Sequence, residues 1–235
     1  MKHNIFSNNG DYPLADPKNI ILYYATLNQK KEAQFIVEQV KLIQKKWNLK
    51  WHEIAIGYRS ILMAIEIEEE LESMEVPVHS ALDKLLYSKL EVKHNKVNLF
   101  PIKEIKDQRF KLLYIPGLEE GVFPHSTTLL NKYSLDQEYS MFKNIVENVA
   151  EFVVLSSTNN RSLDKISLLL NPSRFLSMIE PKKLFSMVSH SLIDTRAPFL
   201  NNLKALGINY LIDSQKKELM TKLPPCLEVK KGDKV

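Results

Sequence analysis

The sequence predicts an α/β fold with a mostly parallel sheet, followed by a mainly helical C-terminal appendage. Three observations carry this reading. Short, continuously apolar runs alternate with segments of helical period. The runs lack the in-out alternation of a strand with one wet face, so they need cover on both sides, as in a parallel sheet. After Ser157 the pattern changes to segments broken by Asn171-Pro172-Ser173, Glu180-Pro181, Ala197-Pro198 and Pro224-Pro225.

Taken in order, Ile20–Ala25 reads as a buried strand. The helix after it places Ala33, Ile36, Val40, Ile43 and Trp47 on one stripe. Glu53–Gly57 is a second strand and Ile61–Met74 a second helix, with a short strand at Val76–His79. Val97–Ile102 and Leu112–Ile115 are strands joined by the charged connection KEIKDQRFK. Asp136–Val149 is a helix with Met141, Ile145 and Val149 inward, and Phe152–Ser156 is another apolar strand. Asn171 is expected to cap a helix with Pro172 at its first position. A boundary near residue 180 divides a main domain, 1–179, from a helical extension, 180–235.

The 235 residues, 44% hydrophobic, can bury a full core. No apolar run reaches the eighteen or more residues of a membrane span, and the N-terminus has no signal-peptide core. Cys226 is the single cysteine, which excludes an internal disulfide and fits a cytoplasmic setting. The net charge of +4 resides in residues 180–235, with ten Lys/Arg against six Asp/Glu; the first 179 hold 22 of each sign. The main body therefore lacks the basic stripe of a dedicated nucleic-acid module.

Catalytic motifs are missing. None of the six glycines is followed by Lys, so the chain holds no phosphate loop of the GxxxxGK[ST] type. The scattered histidines and lone cysteine do not suggest a metal centre. The stretch LLYIPGLEEGVFPH, residues 112–125, sets Glu119 and Glu120 between two glycines at the end of a strand, where α/β folds bind ligands. Adjacent carboxylates on an extended loop point to different sides, which suits neither acid–base chemistry nor Mg²⁺. The residues alone suggest a turn whose glycines serve positive φ and whose acids face solvent. Glu66, Glu68, Glu69, Glu70 and Glu72 crowd the second helix, a solvated acidic face or a protein-docking one.

Four stretches in order resemble the second motor domain of UvrD/PcrA/Rep-type superfamily 1 DNA helicases, a RecA-like three-layer domain. They are IILYYATLNQKKEAQFIVEQV, IAIGYRS with its Tyr58-Arg59 pair, FKLLYIPGLEEGVFPH, and NPSRFLSMI, together spanning roughly residues 19–179. The resemblance implies that Tyr58 stacks on a DNA base and that Arg59 holds a phosphate, with Lys103 a further, weak nucleic-acid contact. The alternative is that Tyr58 packs and Arg59 pairs with the Glu-rich helix.

The departures from the family pattern bear on function. The family's Thr-x-His-x-x-Lys-Gly-x-Glu segment aligns with residues 101–109, where Lys106 is retained, Gly becomes Asp107 and Glu becomes Arg109. The family's Glu-Arg-Arg-Leu-x-Tyr-Val-x-x-Thr-Arg-Ala aligns from Glu138, which puts Asn148 where an arginine would stabilise the transferring phosphate. The expectation is a degenerate domain with no catalytic residue, no metal and no cofactor of its own. ATP and Mg²⁺ enter only if a first motor domain, absent from these 235 residues, completes the site. Expected partners are a protein or that motor domain, with single-stranded DNA contacted weakly and no membrane.

Overall fold

The computed structural model describes residues 21–80, 82, 92–163, 166–195 and 198–212. Within them one nine-stranded sheet runs through the molecule. Its strands are β1 (Ile21–Asn28), β2 (Ile54–Tyr58), β3 (Val78–Ser80), β4 (Val97–Pro101), β5 (Phe110–Ile115), β6 (Ala150–Leu163), β7 (Ile166–Leu169), β8 (Leu184–Val188) and β9 (Leu211–Ile212). The order is β3-β4-β2-β5-β6-β1-β8-β9, all parallel, with β7 added antiparallel to the far end of β6. The helices are α1 (Gln29–Trp47), α2 (Ile61–Ser73), α3 (Lys132–Asn148), α4 (His190–Asp194) and α5 (Pro198–Ala205).

The apolar runs sort by parity, as the two-residue period of a strand requires. Leu22 and Tyr24 of β1, Leu112 and Tyr114 of β5, and Phe152 and Val154 of β6 pack beneath α1 and α2. Ile21, Tyr23 and Ala25, Leu113 and Ile115, and Val153 and Leu155 face α3, α4 and α5. The result is three layers, as expected. On α1 the predicted stripe is buried at Ala33, Ile36, Val40 and Ile43, and Trp47 sets its edge against Phe152 at 5.2 Å. Asn28 caps α1 by accepting from Lys31 N at 3.0 Å.

Three expectations need correction. Helix α3 starts earlier, at Lys132, where Asn131 accepts from Ser134 N at 3.2 Å; Phe142 and Ile145 face inward, while Met141 is half-buried. Asn171 does not cap a helix. Pro172 bridges to Glu119 across the loop after β5, and Ser173 instead accepts from Phe175 N to start a 3₁₀ turn over 174–178. Past residue 180 the described chain is not helical alone: β8 lies beside β1, with Leu184 opposite Ile21, and β9 extends the sheet. A five-residue apolar run such as LFSMV has no decisive period, and the exposed edge of β1 settles it as a strand. The tail from 213, with Cys226 and the Pro224-Pro225 pair, lies outside the described residues, as does most of 81–91.

Three aromatic rings join distant parts of the sequence. Phe123, after the Glu-Glu loop, meets Phe142 of α3 edge-on at 5.5 Å and Phe175 of the 3₁₀ turn at 5.6 Å; Phe142 and Phe175 stack at 5.3 Å. Such pairs add to the burial of large apolar area. Replacing Phe175 with Ala is expected to lower unfolding free energy by about 3–5 kcal/mol, read from the urea midpoint.

Candidate functional site

Ligands in open α/β sheets bind outside the carboxyl ends of the strands. Here that edge holds the loop after β5, the N-terminus of α1 and the far end of β6. Gly117 turns the chain out of β5 at φ +81°, and Gly121 turns it again at φ +91°, so both glycines serve backbone conformations that side chains resist. A Cβ on Gly117 would also lie 2.3 Å from the Met63 methyl.

Between these turns the two glutamates part. Glu119 enters the protein and is fully buried; it does not face solvent, correcting the expectation from sequence. Its Oε1 accepts from Thr158 N at 2.5 Å and from Arg161 Nη2 at 2.8 Å, and its Oε2 accepts from Arg161 Nε at 3.1 Å. The same Nη2 donates to Glu32 Oε2 at 2.7 Å. Glu32 Oε1 in turn accepts from Gly117 N at 3.2 Å and from Ser156 Oγ at 2.8 Å. Arg161 is 2% exposed, and its Nη1 has no partner among the described residues.

Glu120 points outward. It accepts from Arg174 N at 2.6 Å and holds the Arg174 guanidinium in a fork, with Nη2 to Oε2 at 2.7 Å. Main-chain bonds reinforce the dock: Glu120 N donates to Asn171 O at 3.0 Å and Ser173 N to Leu118 O at 2.8 Å. The expectation that neighbouring carboxylates diverge therefore holds, with both acids engaged in ion pairs.

A third carboxylate stands nearby. Glu138 of α3, nearly buried, accepts from Arg59 Nε at 2.8 Å, from His125 N at 3.0 Å and from Thr128 Oγ1 at 2.6 Å. Arg59 thus pairs with α3 and not with the Glu-rich helix. Tyr58 is buried, and burial, with a contribution from Glu68, pushes its phenol up to about 12.

The remaining candidates lie elsewhere. Lys103 is exposed in the 3₁₀ turn after β4, 4.0 Å from Glu104. Lys106, Asp107 and Arg109 lie on the exposed return to the amino end of β5, where Phe110 N donates to Val149 O at 2.9 Å. Asn148 closes α3 at that same end, its amide donating to Asn144 Oδ1 at 2.9 Å. The structure gathers Arg109 and Asn148 near the amino ends of the strands and Tyr58 and Arg59 at the carboxyl ends.

Sequence reasoning missed Glu32 and Arg161. Glu32 was detectable: it precedes Ile36 by one turn on the apolar stripe, so a carboxylate there is buried and needs a partner. Arg161, within the polar run SSTNNRS, offers no comparable signal.

The electrostatics follow from one cation between two buried acids. Burial pushes the Glu119 carboxyl up from 4.5 to about 7; Arg161 opposes this, and Glu32 adds to it. Burial works against the charge on Arg161, yet the two carboxylates overcome it and hold the guanidinium above its ordinary range. A surplus carboxyl that keeps its proton relieves the excess negative charge. Among the described residues no group of three or more His, Cys, Asp or Glu is disposed to hold a metal ion.

No family model matches this chain. Among curated proteins it is similar to the ATP-dependent DNA helicase PcrA of Staphylococcus epidermidis, 26% identical over 136 residues, covering 58% of this chain and 18% of the relative. PcrA of Staphylococcus aureus strain Mu50 gives the same identity and coverage. The chain therefore spans 18% of the length of the curated relatives it matches. The solved C-terminal domain of a possible DNA helicase from Lactobacillus plantarum WCFS1 is 12% identical at a TM-score of 0.47, over 71% of this chain and 84% of that one. In sequence, this chain resembles the UvrD/PcrA-type helicases. No helix of the described residues is long and apolar enough to cross a membrane.

Two outcomes test the ion-pair account. Replacing Arg161 with Met leaves two carboxylates buried without their cation, and stability is expected to fall by about 3–5 kcal/mol in urea unfolding. Because Glu119 has a raised folded pKa, its contribution is full below about 4.5 and is lost as pH rises through about 7. The stability advantage of the native protein over Glu119→Gln is accordingly expected to shrink between pH 5 and pH 8.

Proposed function

We propose that this chain is a degenerate second motor domain of the UvrD/PcrA type, without ATPase activity of its own, acting as a structural or partner-binding element in DNA processing. The observation that carries the reading is the contrast between scaffold and chemistry. Two stretches that bear the family resemblance, the Glu-Glu loop and NPSRF, lock together through Glu120–Arg174 and the Phe123–Phe175 contact. The aligned nucleotide positions carry Asp107, whose charge opposes phosphate, and Asn148, which is neutral and bonded to Asn144. These residues do not fit a nucleotide with its Mg²⁺, and no catalytic step is assigned to them.

A second reading draws on length. The curated relatives are ATP-dependent helicases several times longer than the matched segment. Joined to a first motor domain with a phosphate loop, this domain would be the C-terminal half of a helicase, with ATP and Mg²⁺ as cofactors supplied through that partner. A free-standing nucleic-acid module has less support. The burial of Tyr58 and the bond of Arg59 Nε to Glu138 give less support to contact with a base or a phosphate.

Purified chain with Mg²⁺-ATP and single-stranded DNA is expected to release phosphate at the background rate; DNA-stimulated turnover would refute the proposal. In a fluorescent single-stranded DNA titration, binding is expected to stay within the non-specific range of roughly 10⁻⁴–10⁻⁶ M, and Arg59→Ala to leave it unchanged.

A further inference from the structure

Helix α2 presents a face that nothing in the described structure covers. With 100° per residue, Ile61, Leu62, Ile65, Glu69 and Glu72 fall on a single stripe about 100° wide. The opposite side, with Met63, Ala64, Ile67 and Leu71, is packed into the core. The stripe itself is exposed. Ile61 is 63%, Leu62 46% and Ile65 40% open to solvent, and Glu69 and Glu72 are also exposed. Its first two turns are thus apolar and its last two acidic.

Other exposed apolar side chains lie at and just before the start of α3. Leu130 is 92% exposed and Tyr133 71%. The Glu138 carboxylate ties the two chain segments together, binding Arg59, two residues before Ile61, and Thr128, two residues before Leu130. Scattered exposed apolar residues need no explanation, but Ile61, Leu62 and Ile65 on one helical stripe make a patch.

We infer that this patch docks a helix of a protein partner that carries apolar side chains at one end and Lys/Arg at the other. The apolar end seats on Ile61, Leu62 and Ile65, and the basic end runs along Glu69 and Glu72. Charge selects this occupant. Segment 60–75 holds six glutamates and no Lys or Arg, so it repels a phosphate backbone, and a second copy of α2 set against it would oppose acid with acid. The inference rests on the partner-binding part of the proposed function and specifies where that partner sits.

The test is a photo-cross-linker at position 65 of the full chain, expressed in its native host, with the attached peptide sequenced by mass spectrometry. The expected product is a peptide from another protein, with helical apolar spacing and a Lys/Arg cluster. Glu69→Lys with Glu72→Lys should reduce it at least tenfold, while a cross-linker at Lys31 on α1 gives no such product. A cross-link to residues 83–91 of the same chain, to a second copy, or to nucleic acid would overturn the inference, as would no cross-link from a folded protein. The ATPase assay is read separately, so loss of the cross-link does not count against the absence of catalysis, nor turnover against the docking surface.

Discussion

The structure depends on one guanidinium held between two buried carboxylates. Arg161 sits near the end of β6, Glu32 in the first turn of α1, and Glu119 in the loop after β5. Three chain segments separated by more than forty residues are thereby fixed at a single point. An arginine this deeply buried is costly unless its charge is met, and it is met twice. Burial and the neighbouring Glu32 raise the affinity of the Glu119 carboxyl for a proton, while Arg161 opposes them. The planar fork of arginine suits this place better than lysine, since Nε and Nη2 reach Glu119 while Nη2 also reaches Glu32.

This constraint explains the character of the Glu-Glu loop. Its position at the carboxyl edge of the sheet is that of a ligand loop, yet its polar groups are already engaged. Glu119 is bound inside, Glu120 is held by Arg174, and Gly117 N donates to Glu32. Across the edge, Glu138 gathers Arg59, His125 N and Thr128. A loop whose acids and amides hold one another serves as scaffold. That supports the proposed reading of a domain that keeps its packing.

Much of the fold was legible in the sequence because its strands are apolar on both faces, and such runs admit few arrangements. The α1 stripe, the strands β1, β2, β4, β5 and β6, and the divergence of Glu119 from Glu120 follow from period and geometry. What was not legible depends on contacts between distant residues. No local pattern marks Arg161 as buried, and its environment exists only once β6 lies between β5 and β1. Leu184–Val188 could not be told from a helix by its five residues, because the open edge of β1 decides it. The sequence offered Arg59 a phosphate or the Glu-rich helix, and the approach of α3 gives it Glu138 instead.

The central claim is that the Arg161 cluster clamps the loop as part of the core. Native-state hydrogen exchange at two amides tests it most directly: Gly117 N–H, which donates to Glu32, and Thr158 N–H, which donates to Glu119. Both should exchange only through global unfolding, with protection equal to that of Leu113 and Leu155 in the central strands. Exchange of either amide through a local opening, at a free energy well below the global value, would contradict the account.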